Sequence, residues 1–437
     1  MPRTHVFAPP YVPGTTFVRE QEGIHEYRLE GNGLTILLAP HPDSPVAGFM
    51  VTYRVGSRNE ALGYTGATHL LEHLMFKGSE NYNREKGNDL WNLLEAKGAL
   101  VNATTWTDRT NYFEVLPREL LPTAISFEAD RMRRARIREE DRVSEMPVVR
   151  NEYERGENQP FEALDKQLWA LAYEAHPYHH STIGWRSDIE NVPIERLKAF
   201  YDDFYWPDNA TVTVAGGFDE AETLAHIAEQ FGAHPKAPHP IPALYTVEPK
   251  QEGERRVTLT RAGGADMMAL AHKIPQATHP DMPALVLLSL ILSDGKTSRL
   301  YRSLVDTALA TSVTAMCYQF HDPSLFTTYV TLSPRTAHAK AELLVKHEYA
   351  RIAAKGVEPA ELTRAKKNVR AAIAARRDGP YAFLSAMNEE IAAGDWTRFT
   401  LFPRALSSVT SAKIREVAKR YFTDDAQTAG WFVSTQA

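Results

Sequence analysis

His69, Glu72 and His73 stand in the stretch Thr68-His69-Leu70-Leu71-Glu72-His73-Leu74, and their types and spacing can do chemistry. On a helix, positions i and i+4 share a face, so the two imidazoles can offer nitrogens to one point. Glu72, three residues from His69, can flank the same point. Two neutral imidazoles converging in this way suit a borderline-soft cation such as zinc. A neighbouring carboxylate that is not a ligand suits metal-assisted hydrolysis. Leu70, Leu71, Leu74, Met75 and Phe76 make the surrounding helix a buried one. With 16 His and 55 acidic residues in 437, chance supplies only about 0.07 such pentads. The plain alternative, a helix with two ordinary histidines and a solvated glutamate, is decided by what lies downstream.

Composition narrows the setting. At 437 residues the chain is too long for one ordinary core, so two domains are expected. Charged residues at 24% and hydrophobic residues at 43% describe a soluble globular protein. A net charge of -6 without a long basic run argues against nucleic acid or an anionic membrane as the main partner. The densest basic patch, Arg131 to Arg136, runs into Glu139-Glu140-Asp141 and reads as a solvated, ion-paired helix face. One cysteine, Cys317, allows no intrachain disulfide. Met1 to Arg19 lacks an apolar signal core, and Ala284 to Leu292 is too short to span a bilayer. A cytoplasmic protein is expected, or a periplasmic one if a signal peptide has been removed.

The helix must be positioned by its neighbours. Residues 1–25 are punctuated by Pro and Gly and read as a surface segment. His25–Leu29 and Gly33–Leu38 flank a hairpin signal, and Val46–Val55 is a further strand. The metal helix ends at Gly78, and a second helix is expected over 87–97. Two β runs, 99–107 and 110–116, form a hairpin beside it. Helices follow over 119–136 and from Ser144 to about Arg155, then a strand over 209–215 and a helix over 220–231. Residues 233–253, crowded with Pro235, Pro238, Pro240, Pro242 and Pro249, read as a linker. The order strand, strand, helix, Gly, helix, strand pair, helices then recurs. The expected fold is α+β, two similar halves each with an antiparallel-rich sheet covered by helices, divided as 1–232 and 254–437. Setting Gly295 against Gly78 places Val286, Ser289 and Leu290 opposite His69, Glu72 and His73, so the second copy loses the metal site.

The order His-x-x-Glu-His reverses the commoner zinc-peptidase signature. Together with Glu145-Met146-Pro147-Val148-Val149-Arg150-Asn151-Glu152, it makes the chain resemble the pitrilysin/insulinase-type zinc peptidases, from Leu34 to about Phe432. The resemblance is to their short bacterial two-subunit branch, related to mitochondrial processing peptidase. It implies one Zn2+ per chain, held by His69, His73 and Glu152, with Glu72 as general base and Glu145 supporting the site. Seven residues separate Glu145 from Glu152, two helical turns, so both face one side. Pro147 is tolerable if Ser144 is near the N-cap. The resemblance also implies that the strand carrying Asn102, Ala103 and Thr104 pairs with the substrate backbone, with Asn102 holding a carbonyl. His176-Pro177-Tyr178-His179-His180 lacks helical spacing and is not read as a second metal site.

One departure bears on partners. Family members that complete the site carry an Arg and a Tyr after a Ser-Arg-Leu helix, where this chain has Val305 and Thr311. The resemblance therefore implies the zinc-bearing half of a two-subunit endopeptidase for unfolded peptides. A homologous subunit supplies the Arg/Tyr pair and the rest of a clamshell chamber; a homodimer is the other arrangement. Specific precursor processing and a non-catalytic assembly role are the alternatives.

Overall fold

A computed structural model describes residues 9–435 of the chain. In its first half, β1 (Thr15–Gln21), β2 (Ile24–Leu29), β3 (Thr35–Pro40) and β4 (Val46–Tyr53) precede α1 (Ala67–Leu74) and the short α2 (Leu90–Leu93). The hairpin β5 (Leu100–Thr105) and β6 (Thr110–Pro117) is followed by α3 (Leu121–Arg134), α4 (Glu139–Glu157), α5 (Pro160–Ala172), α6 (Arg186–Asn191) and α7 (Ile194–Phe204). Then come β7 (Ala210–Gly216) and α8 (Glu220–Gly232). The second half has β8 (Arg255–Ala262), β9 (Met267–Ile274), α9 (Met282–Ser293), β10 (Ala310–Cys317) and β11 (Ser324–Leu332). It ends with α10 (His338–Lys355), α11 (Pro359–Ala375), α12 (Gly379–Ala392), α13 (Arg398–Ser408), α14 (Ser411–Tyr421) and β12 (Gln427–Thr435).

The two sheets have the same plan. The first runs β1-β2-β3-β7-β4-β6-β5; the second, read from its β8 edge, runs β8-β12-β9-β11-β10. Five strands therefore match one for one. Even the single parallel pair recurs, β3 with β7 and β8 with β12, among otherwise antiparallel neighbours. The α+β duplication expected from element order is present in topology. The first half adds β1 and β2. Of the surface segment expected over 1–25, residues 1–8 lie outside the described residues, and Thr15–Gln21 is an edge strand with mostly exposed side chains.

Each half lends a helix to the other. Leu164, Leu168 and Ala172 of α5 pack with Ala269, Ala271, Tyr329 and Phe432 of the second sheet. In return Leu384 of α12 packs with Met50, Phe113 and Ala215, and Met387 and Ile391 pack with Ile24 and Leu37, all of the first sheet. The fit is close: a Cβ at Gly48 would meet Leu384 at 2.6 Å, and one at Gly430 would meet Leu164 at 2.9 Å. The strand β7 is buried along its whole length because α12 covers the face that the first half's own helices leave open.

Three expectations need correction. Arg131 does not lie on a solvated face. Its side chain is 1% exposed; its guanidinium donates through two nitrogens to Glu128 and lies 4.2 Å from the Tyr112 ring centre, with Phe76 and Phe127 close by. A planar, weakly hydrated cation can be desolvated where a bidentate carboxylate and aromatic faces replace water. The helix bearing Glu145 and Glu152 begins at Glu139, not near Ser144, so Pro147 lies inside it. Glu139, Glu140 and Asp141 fill its first turn, where carboxylates are favoured by the helix dipole. The helix expected over 87–97 shrinks to Leu90–Leu93, capped by Asp89.

No helix or strand spans His234 to Glu254, the segment between the two sheets. Glu248, within it, accepts the N–H groups of Glu174, Ala175 and His176 and the ammonium of Lys273. Burial works to raise the Glu248 carboxyl, but the bonds from Lys273 and the three N–H donors hold it at about 2. A folded-state value below the unfolded one adds stability above the unfolded value, and that stability is lost as pH falls through the folded one. Glu248→Gln should therefore destabilise the chain by about 2 kcal/mol at pH 7, allowing for partial solvation. The gap to wild type should close as pH falls from about 4.5 toward about 2. Thermal unfolding of both chains across that range checks this; a gap that stays constant with pH would refute it.

Candidate metal centre

The short helix α1 is fixed by a buried cap. Glu60 Oε2 accepts the Gly66 N–H at 2.8 Å and Oε1 accepts the Thr68 N–H at 2.7 Å, placing a carboxylate at the helix N-terminus. His180 Nε2 lies 3.0 Å from Glu60 Oε2. Gly66 is required here: its φ is +86°, and a Cβ would meet the Ile183 carbonyl oxygen at 2.5 Å. Leu70, Leu71 and Leu74 are fully buried, which turns His69 and His73 toward the cleft with ring centres 4.8 Å apart.

The long helix α4 packs against α1 through its buried Met146 and Val149, and brings Glu145 and Glu152 to the same side. Glu152 Oε2 is 3.6 Å from His73 Nε2 and 3.7 Å from His69 Nε2. The three ligand atoms lie within 4.8 Å of one another. These separations are too long for hydrogen bonds. They approach the roughly 3.4 Å between donors that each sit about 2.0–2.2 Å from a tetrahedral ion. Glu152 Oε2 is buried without a hydrogen-bond partner. A buried carboxylate oxygen left unpaired between two imidazole nitrogens fits a cation. Burial, and next the proximity of His73, push His69 down to about 4, so the ring is neutral near pH 7 and its lone pair is available. Two histidines and one carboxylate match the donor set of a catalytic zinc site with an open fourth position.

Glu72 lies beside this cluster and is 9% exposed. Its Oε2 accepts the Thr105 hydroxyl. Burial pushes its carboxyl above the usual range, against the opposing pull of Thr105, His73 and Arg109. Glu145 lies behind His73, with Oε2 3.2 Å from Nδ1, and its other oxygen accepts from Lys77. Burial alone would raise Glu145; the bonds from Lys77 and His73 outweigh it and hold the carboxyl below its ordinary value.

The strand β5 is the free edge of the first sheet. Alternation along it divides the expected substrate-binding residues. Ala103 belongs to the core under α1, and Thr105 reaches Glu72. Thr104 is tied through its hydroxyl to Asn111 and Arg109, away from the metal cluster. Asn102 is exposed and its Oδ1 accepts the Ala103 N–H at 2.8 Å. Thr105, Arg109, Lys77 and Glu60 were missed by the sequence reading. Strand parity from Ala103 points to Thr105, and i+4 spacing from His73 points to Lys77. Nothing local signals Glu60 or Arg109. In the histidine-rich loop, His176 pairs with Asp322 and His180 with Glu60. Beside His69 and Glu152 opens a cavity of about 630 Å³, walled by Trp106, Phe161, Trp169, Tyr318 and Phe320.

Fold and cluster together define a duplicated α+β protein whose first copy brings His69, His73 and Glu152 near enough to one another to hold a metal ion. Residues 35–185 match the model for Insulinase (Peptidase family M16), and residues 191–369 match that for Peptidase M16 inactive domain. The chain is 30% identical over 415 residues to Zinc protease PqqE of Helicobacter pylori, covering 92% of this chain and 91% of that one. The crystal structure of a protease from Helicobacter pylori superposes with a TM-score of 0.87 at 28% identity, over 96% of this chain and 100% of that one. Pitrilysin shares the fold at a TM-score of 0.77 and 16% identity; 96% of this chain covers 46% of that one. The chain belongs to the insulinase family, Peptidase family M16. The match of residues 191–369, which include α9, to the inactive domain accords with α9 holding the place of α1 while offering Val286, Ser289 and Leu290.

Proposed function

We propose that this chain is the zinc-bearing part of a metalloendopeptidase that cuts unfolded peptides. The observation that carries the reading is Glu152 Oε2, buried and unpartnered between His69 Nε2 and His73 Nε2, with Glu72 beside it. His69, His73 and Glu152 would hold one Zn2+, which supplies a Lewis acid that polarises the scissile carbonyl and acidifies water. Glu72 takes a proton from the attacking water and returns it to the leaving amine. Its bond to Thr105 sets that base at the end of the β5 edge, where an extended peptide can add as a further strand, along Asn102, Ala103 and Thr104. Glu145 steadies His73. Residues 1–232 form the metal-binding domain and 254–437 its metal-free copy, joined by 233–253. This chain covers about half of pitrilysin, which supports a homologous partner; such a partner would close a chamber around the peptide and bring the Arg/Tyr pair.

Chelation tests the reading. The purified chain, assayed with its homologous partner on an unstructured fluorogenic peptide, should contain about one zinc per chain. Cleavage should vanish after zinc removal and return on titrating the metal back. A stripped chain that cleaves at the starting rate would sink the proposal.

A further inference from the structure

We infer that Lys77 is a positioning residue for the metal centre, acting through Glu145 on His73; the inference rests on the zinc reading above. Lys77 lies four residues after His73, in the single tight turn Met75–Lys77 that prolongs α1. Continuing the helical path returns its side chain to the face that carries His73. Gly78 follows at a φ of +111° and ends the helix, so Lys77 occupies the last position able to reach back.

Its ammonium donates to Glu145 Oε1, while Oε2 of the same carboxylate faces His73 Nδ1 at 3.2 Å. The carboxylate belongs to α4 but is gripped at both oxygens by α1. This geometry assigns the two faces of the His73 ring. Nδ1–H donates to Glu145, which leaves the Nε2 lone pair directed at the point shared with Glu152 Oε2, 3.6 Å away. A carboxylate anchored by only one oxygen could rotate away from the imidazole; the Lys77 bond removes that freedom. The pair is also sheltered, with Lys77 27% and Glu145 14% exposed. It is thus more constrained than an open surface ion pair, whose geometry carries little.

The test measures zinc binding directly, by competition with a chromophoric chelator, in the full chain. K77M should weaken zinc binding about 10- to 100-fold, the range expected when the group that orients a ligand is disturbed. K77R, which keeps a cation of similar reach, should recover most of the loss. K77M added to E145Q should cost nothing further, because the lysine acts through that carboxylate. Nitrogen NMR of the zinc-free chain should show His73 protonated at Nδ1 in wild type and a tautomer mixture in K77M. If K77M fails to fold, by circular dichroism, K77Q takes its place. Zinc affinity unchanged in the folded variant, or a loss that adds in full to that of E145Q, overturns the inference. A wild-type chain that binds no zinc overturns both this inference and the zinc reading itself.

Discussion

Glu72→Gln should lower peptide cleavage by about 10²- to 10⁴-fold, the usual weight of a general base, while leaving zinc content unchanged. The two halves of that result have separate physical grounds. Glu72 is not one of the three converging donors, so removing its charge leaves the ligand set of His69, His73 and Glu152 complete. The amide oxygen of glutamine can still accept the Thr105 hydroxyl, so α1 and the end of β5 should hold their places. What is lost is the capacity to take a proton. Burial already disfavours charge at this position, and the carboxyl is held above its usual range. A base with a raised value is a better proton acceptor than an exposed glutamate, which makes its loss more costly to rate. Cleavage of a quenched fluorescent peptide, zinc analysis and a thermal melt on the same preparation separate the outcomes. Normal cleavage by Glu72→Gln would refute the general-base role. Lost zinc would instead recast Glu72 as a ligand or a structural support.

How much of this was legible in the sequence depends on whether a signal is local. His69 and His73 declare themselves through helical spacing, whereas Glu152 and Glu145 are implied only by the family resemblance, because two acidic residues seven apart on a helix are otherwise an ordinary pattern. The duplicated plan follows from the order of elements, because strand, strand, helix and strand pair recur; the parallel pairs β3–β7 and β8–β12 emerge only in the fold. The exchange of α5 and α12 was not legible. Each shows an apolar stripe, Leu164 and Leu168 in one, Leu384 and Met387 in the other, but a stripe does not name the sheet it covers. Arg131 was misread for a related reason. Four arginines within six residues suggest water; Glu128 and Phe127 are helical neighbours of Arg131, and only the tertiary fold adds Tyr112 and Phe76 and buries the group. The start of α4 was misplaced because Pro147 outweighed the acidic first turn at Glu139–Asp141, although a long helix packed through Met146 and Val149 accommodates the missing donor.

Mixing this chain with a homologous subunit that carries the Arg/Tyr pair should raise cleavage by about 10²- to 10³-fold over the chain alone, the weight of one set of oxyanion donors. On the proposed reading, this chain leaves one side of the scissile bond bare. His69, His73, Glu152, Glu72 and Glu145 all come from α1 and α4, and the proposed peptide edge is β5, all in the first half. The second half repeats the scaffold but offers Val286, Ser289 and Leu290 where α1 offers its polar residues. At the positions expected for the pair stand Val305, the last residue of a π-helical turn and without a side-chain donor, and the exposed Thr311 of β10, whose short hydroxyl is neither the cation of Arg nor the long-reaching phenol of Tyr. On the two-subunit proposal the donors arrive on another surface, facing the cleft from across a chamber. A partner stripped of its Arg and Tyr should bind this chain yet leave cleavage near the level of the chain alone. That control distinguishes supply of catalytic groups from mere stabilisation. Full activity of the chain by itself, at concentrations where it is monomeric, would remove the two-subunit proposal; full activity that appears only with self-association would replace it with a homodimer.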